Sequence, residues 1–407
     1  NNFAPRIGFA WDVGGNGKTA IRGAFGMFYD RIIGATTSSV DGATPGFSQS
    51  VPVLPNQSGT DIRAGDGIPK PAQPGAPVLV LPNTRANTIS VFDPNLRTGY
   101  VNQFNLSVQR ELARNTILEV SYVGSRGVKL FMNVNPNQQR VFGEFLSSFK
   151  ELQAFQTNAN APISAGNTMV RIFGTPAAAI SNLGAANFTQ GLLGTVATNL
   201  DRTFYTRYAA AGVSDFYLRN FPQYIELRQG TNAGRSYYNS AQFSIRRNMS
   251  SLQVYANYTF SKSIDNGSAE GNGYTAPIDS FNLALNRGRS DWDRPHTFNA
   301  SATYVVPFGK GKRFGGDMPA WLSSAIGGWE LGGLMVWQSG SVYTVGSARS
   351  TINGAANSWA NFSGSTRNFG EVARKGDGVY WMNADQIASF SFPAAGEFGS
   401  SGRNSFR

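Results

Sequence analysis

The chain has 407 residues, with 35 Lys plus Arg against 24 Asp plus Glu for a net charge of +11, one His, no Cys and 47 Gly. Only 14% of residues are charged while 13% are aromatic, and the mean hydropathy is −0.25. This balance excludes a disordered chain, a coiled coil, a disulfide-stapled module and, with no apolar run of about 18 residues, a membrane-spanning helix.

Arg6 to Asp12 alternates Ile7, Phe9 and Trp11 against Arg6, Gly8 and Ala10, which predicts a strand with one apolar face. The following stretch, Asp12 to Thr19, ends like a phosphate-binding loop. It has Asp12 where that motif needs Gly and runs into alternating residues instead of a helix, so it reads as a polar hairpin turn. In the return strand, Ala20 to Tyr29, Ile21, Phe25, Met27 and Tyr29 oppose Arg22, Ala24 and Gly26. Residues 30–99 then carry Pro45, Pro52, Pro55, Pro69, Pro71, Pro74, Pro77 and Pro82, a composition that keeps them out of sheet interiors and predicts an irregular exposed loop.

The clearest alternation runs from Tyr100 to Glu111, with Phe104, Leu106 and Val108 on one side and Gln103, Asn105, Ser107 and Gln109 on the other. A tight turn leads to Thr116, Leu118, Val120 and Tyr122, which alternate with Ile117, Glu119 and Ser121. Residues 124–236 form a second long connection. Within it Phe142, Phe145, Leu146, Phe149 and Leu152 recur at helical spacing, predicting a helix over Val141 to Gln156 that packs its apolar face on the rim of the sheet. Ala161 to Leu200 has no persistent period.

A third hairpin pairs Tyr237 to Arg247 with Leu252 to Ser261, where Leu252, Val254, Ala256, Tyr258 and Phe260 face away from Gln253, Asn257, Thr259 and Ser261. After a connection at 262–295, His296 to Val306 pairs with Trp329 to Gln338; Val342 to Val345 extends this strand or starts another, and 346–407 is a final loop region. Short and long connections alternate, which gathers the short ones at one end. The expected fold is all-β: an antiparallel transmembrane outer-membrane β-barrel, partial, with about 8 to 10 strands and long extracellular loops.

In this reading Phe104, Leu106, Val108, Leu118, Val120, Leu252, Val254, Tyr258 and Phe260 face lipid. Gln103, Asn105, Ser107, Gln109, Gln253, Asn257 and Thr259 face an aqueous lumen. Trp11, Tyr29, Tyr100, Tyr122, Tyr237, Phe260, Tyr304, Trp329 and Trp337 are expected near strand ends, as interfacial girdles.

Catalytic chemistry is not expected, and neither is a cofactor. His296 opens a strand and reads as structural. Asp265, Asp291 and Asp293 offer oxygen ligands of the kind Ca²⁺ takes but match no defined calcium loop, so a solvated loop face is the preferred reading. Lys and Arg are spread over turns and loops, without a recognition helix or zinc motif, which argues against nucleic acid; attraction to lipid phosphates or an anionic ligand fits the charge at least as well.

Several stretches resemble the barrel of TonB-dependent receptors of the Oar-like type. They are Phe3 to Asp12, Lys18 to Asp30, Asn102 to Glu111, Tyr237 to Gln242, Asp291 to His296, Val306 to Gly309 and Gly399 to Asn404. The resemblance implies a gated transporter of the Gram-negative outer membrane, energised through TonB, ExbB and ExbD, in which a plug fills a roughly 22-stranded barrel. It further implies that this chain is a C-terminal part of such a barrel, without plug or TonB box. A non-transporting outer-membrane adhesin or structural porin, and a soluble β-rich glycan-binding protein, are the alternatives.

Overall fold

The computed structural model describes residues 2–30, 85, 87–268, 277–354, 356–366, 369–370 and 372–407, together with 34, 37, 38 and 40. The proline-rich stretch read as an irregular loop lies outside the described residues. Two hairpins open the main sheet: β1 (Arg6–Asp12) with β2 (Thr19–Tyr29), and, after the short β3 (Asn87–Phe92), β4 (Tyr100–Ala113) with β5 (Thr116–Val134). The second half adds β6 (Tyr224–Asn248), β7 (Leu252–Asp265), the two-residue β8 (Gly288–Arg289), β9 (His296–Val305) and β10 (Glu330–Gln338).

These ten strands form one sheet in the order β1-β2-β4-β5-β6-β7-β9-β10, antiparallel throughout this path, with β3 parallel to β6 and β8 against β7. Among the described residues β1 and β10 each pair on one side only, so the sheet is open. The antiparallel order puts the β1–β2, β4–β5, β6–β7 and β9–β10 connections at one end and the long connections at the other. Among the described residues no helix is long and apolar enough to cross a membrane.

The turn after β1 is built as its composition requires. Asp12 accepts a hydrogen bond from the Gly17 amide at 2.8 Å, and Gly15 and Gly17 take φ of 62° and 71°, which suits residues without a Cβ. β2 follows directly, so the stretch that ends like a phosphate-binding loop is a hairpin turn.

Two expectations about the second long connection need correction. β5 continues to Val134 and β6 starts at Tyr224, so both ends of 124–236 are strand and not loop. Register shifts between Gly127 and Leu130, and again before Met132, interrupt the alternation that marks a strand in sequence. The segment between these strands is a compact helical unit: α1 (Glu144–Thr157), α2 (Thr168–Phe173), α3 (Pro176–Leu183), α4 (Ala185–Thr189) and α5 (Leu193–Thr203). α1 does not pack on the sheet rim. Its Phe145, Phe149 and Leu152 join Met169, Leu183, Phe188, Leu193 and Leu200 in a core of the unit's own, where the Phe149 and Phe188 rings stack at 4.9 Å.

The region after β10 lies against both units. Gly194 of α5 donates its amide to the Ser350 carbonyl at 2.7 Å, while Ile352 and Ala395 join the helical core. Val342 to Val345 forms no strand; Tyr343 makes an isolated bridge to Phe406.

Candidate functional site

The register of the ladder divides the sheet into two chemically distinct faces. Phe104 lies opposite Gly124, Leu106 opposite Tyr122 and Val108 opposite Val120. Val120 and Leu118 lie opposite Phe243 and Ile245, and these face Tyr258 and Ala256. Phe260 faces Ala241, Val254 faces Ala302 and Leu252 faces Tyr304. All nine residues expected on a lipid face therefore share one side. Ile7, Phe9, Trp11, Ile21 and Phe25 extend it across β1 and β2, and Leu331, Met335 and Trp337 extend it across β10.

This side is apolar yet uncovered. Leu106 is 49% exposed, and Ile7, Phe9, Phe104, Val108, Val120, Phe243, Phe260 and Met335 are also exposed. Nothing in the described chain packs against it. Rings fill the gaps left by glycine across neighbouring strands: Phe104 lies over Gly124 and Phe9 over Gly23.

The opposite side carries the residues expected to meet water. Gln103, Asn105, Ser107 and Gln109 pair with Ser125, Val123, Ser121 and Glu119, while Thr259, Asn257 and Gln253 pair with Gln242, Ser244 and Asn248. Arg22 shares this face and donates to Gln109 Oε1. β10 departs from the pattern, since Leu334 and Val336 stand on the polar side opposite Ser301 and Asn299.

The aromatic residues follow the expected ends in part. Tyr29 and Tyr100 meet at 5.7 Å where β2 and β4 reach the long connections, and Trp11 closes β1 at the short-turn end. Tyr122 and Tyr237 are not at strand ends, because β5 and β6 run well past them. His296 opens β9, is hydrogen-bonded through Nδ1 to the Tyr258 hydroxyl at 2.7 Å and packs beside Phe260 and Trp337.

Of the three acidic residues of the third connection, Asp291 is exposed as expected, whereas Asp265 and Asp293 are not part of a solvated face. Arg403 donates to Asp265 Oδ1 at 2.6 Å, Asn404 donates to Asp291 Oδ1 at 2.6 Å, and Arg407 donates to Asp293 Oδ2 at 2.6 Å. Asp265 and Asp293 are buried. No group of three or more His, Asp or Glu among the described residues is placed to hold a metal. The stretches 291–296 and 399–404, far apart in sequence, are thus one contact that ties the C-terminal region to the sheet. The opposite charges of Asp291 and Arg403 were the signal available for it.

Inside the helical unit, buried Asp201 is shared by Arg85 and Arg219, and Arg85 also reaches Asp215 Oδ1 at 3.4 Å. Burial raises the Tyr208 hydroxyl well above the usual phenol range, helped by Asp201, and pushes Tyr217 up to about 12. Burial alone would raise Glu151, but hydrogen bonds from Asn167 and Ser164 outweigh it and hold the carboxyl below its usual value.

A family model for the outer membrane beta barrel domain matches residues 1–407, and the chain belongs to that family. Its location is the outer membrane of a Gram-negative bacterium. Among solved structures, the chain is similar to the outer membrane transporter YddB from Escherichia coli at 10% identity, covering 88% of this chain and 33% of that one, with a TM-score of 0.42. It is also similar to Pseudomonas aeruginosa FpvA bound to a pyoverdine–iron complex (9% identity, 84% and 24% covered, TM-score 0.31). A third similarity is to the FrpB iron transporter from Neisseria meningitidis (8% identity, 75% and 24% covered, TM-score 0.32). The chain therefore spans a third or less of the length of each. No curated protein matches it.

Proposed function

We propose that this chain supplies barrel wall and surface loops to a TonB-dependent transporter that carries a large or scarce solute across the outer membrane, without covalent chemistry. In this reading the apolar side meets lipid, the Gln103 and Thr259 side lines the solute path, and the long connections with the helical unit stand outside the cell. The Oar-like resemblance supports the coupling to TonB, ExbB and ExbD.

One observation carries the membrane assignment. On β6 the apolar side is bounded by Arg247 at the short-turn end and by Tyr237, with Arg126 beside it, at the other. The ten steps between Tyr237 and Arg247 cover ~34 Å of strand at ~3.4 Å each. At a tilt of ~45° that is a height of ~24 Å, close to the ~25 Å apolar band of outer-membrane barrels.

Leu106→Arg should therefore cost ~2–4 kcal/mol of stability in a bilayer, and Ser107→Arg less than ~1 kcal/mol. Urea titration of the full chain folded into phospholipid vesicles reads both values, and equal costs would contradict the assignment. The energised step is tested in cells: solute accumulation that persists after collapse of the proton-motive force would remove TonB coupling and leave a passive barrel.

A further inference from the structure

The positive charge becomes informative once it is placed on the two faces of the sheet. One row of the ladder runs Arg126, Tyr237, Ile264, Arg289 across β5, β6, β7 and β8, and a neighbouring row brings Asn239 to Lys262. These rows lie on the apolar side, at the end of the band nearest the long connections. Directly beyond them opens a cavity of about 430 Å³ between β6, the end of β7 and the segment before β8. Arg235 and Arg287 line it together with Tyr237, Ile264 and Leu283.

Five cations thus meet at one edge of the apolar band. None of the five is in an ion pair among the described residues. Arg126 lies 5.5 Å from the Tyr237 ring centroid, a cation–π contact that leaves its charge unneutralised. The one acidic residue lining the cavity, Asp265, is already committed: Oδ1 accepts from Arg403 at 2.6 Å and Oδ2 from the Ser268 hydroxyl at 2.6 Å. Among the described residues the charge around the cavity is therefore positive. Unpaired cations at such a depth direct their heads toward the headgroup layer while their stems lie along apolar surface.

We propose that Arg235 and Arg287, flanked by Arg126, Lys262 and Arg289, bind the phosphorylated headgroup of an outer-leaflet lipid. Ile264, Leu283 and Tyr237 supply the apolar wall along which the lipid's stem descends into the band. The site rests on the reading that the apolar side faces lipid. A free phosphate would satisfy the cations but has no use for the apolar wall, and nothing in the cavity's place on the sheet favours it over a lipid.

The test uses the full chain folded into phosphatidylcholine vesicles with and without lipid A, extracted in neutral detergent and weighed by native mass spectrometry. The expected result is lipid A retained on the wild-type chain. Retention should fall roughly 30-fold in Arg235→Gln/Arg287→Gln and stay unchanged in Arg110→Gln/Arg247→Gln, which removes charge from the other end of the band. Circular dichroism reports whether each variant keeps its sheet. Equal retention by both variants would overturn the site, as would inorganic phosphate binding to the detergent-solubilised chain without lipid A retention. Failure of the wild-type chain to enter vesicles would overturn the face assignment and the site with it, whereas entry without lipid A retention would overturn the site alone.

Discussion

Asp201 sits between two buried arginines in the helical unit. Both of its carboxylate oxygens are taken by buried arginines, Arg85 and Arg219, and the latter also donates to the Asn137 carbonyl at 2.9 Å. Removing the carboxylate leaves buried Arg219 without its acidic partner and Arg85 with only the longer contact to Asp215, so Asp201→Ala should destabilise the unit by ~3–5 kcal/mol, read by urea unfolding of the full chain followed by near-ultraviolet circular dichroism. The buried phenols add a pH dependence. Tyr217 is pushed up to about 12 and Tyr208 is raised further, so the folded unit holds protons that the unfolded chain releases near pH 10. The stability they contribute is complete below that pH and declines as pH rises toward 12. Absorbance titration of tyrosinate should show a late, cooperative step that Tyr208→Phe/Tyr217→Phe removes; a titration unchanged by the double variant would contradict this. Such contacts were hard to read in the sequence. Asp291 and Arg403 looked like ordinary loop charges because their pairing depends on a fold that brings residues 112 positions apart together.

Strands were far easier to read than helices, for a physical reason. Alternation in β4 and β7 is set by what lies on each side of the sheet, so it persists for as long as the surroundings stay apolar on one side. Past Tyr122 on β5, and before Tyr237 on β6, the alternation fades. There Gly124, Gly127, Gly230 and Gly234 admit neighbouring side chains or backbone, and the ladder shifts register. The helices α2 to α5 are 5 to 11 residues long, too short to establish a period of 3.6. Their ends were nevertheless marked. Asn167 and Thr175 cap α2 and α3 by accepting from Val170 and Ala178 amides at 3.0 and 3.1 Å, Pro176 opens α3, and Gly174 and Gly184 close them at positive φ. Gly194 has a different task, since a Cβ there would come within 2.3 Å of the Asn353 backbone. Gly194→Ala should loosen the C-terminal region from α5 and speed proteolytic cleavage near Asn353 several-fold, while cleavage at an unchanged rate would show that the contact does not hold the region down.

The whole molecule is organised by one asymmetry. An apolar side left uncovered among the described residues and a polar side of amides and hydroxyls share a single open sheet, whose short turns lie at one end and whose long connections and helical unit lie at the other. Low charge, abundant glycine and a negative mean hydropathy are consistent with each other in such a sheet, because only alternate residues need be apolar. Among the described residues β1 and β10 each leave one edge unpaired, so the sheet does not close on itself. The exposed Leu334 and Val336 place apolar groups on the polar side at one of those edges.

The absence of cysteine gives a direct way to test which side meets lipid, because every introduced thiol is the only one in the chain. Single Leu106→Cys, Val120→Cys, Ser107→Cys and Asn257→Cys variants, labelled with an environment-sensitive fluorophore and folded into vesicles, can be challenged with a quencher confined to the acyl chains and with a water-soluble one. The account predicts quenching of positions 106 and 120 from the lipid and of 107 and 257 from water. Quenching of all four from water alone, or the reverse pattern, would contradict it.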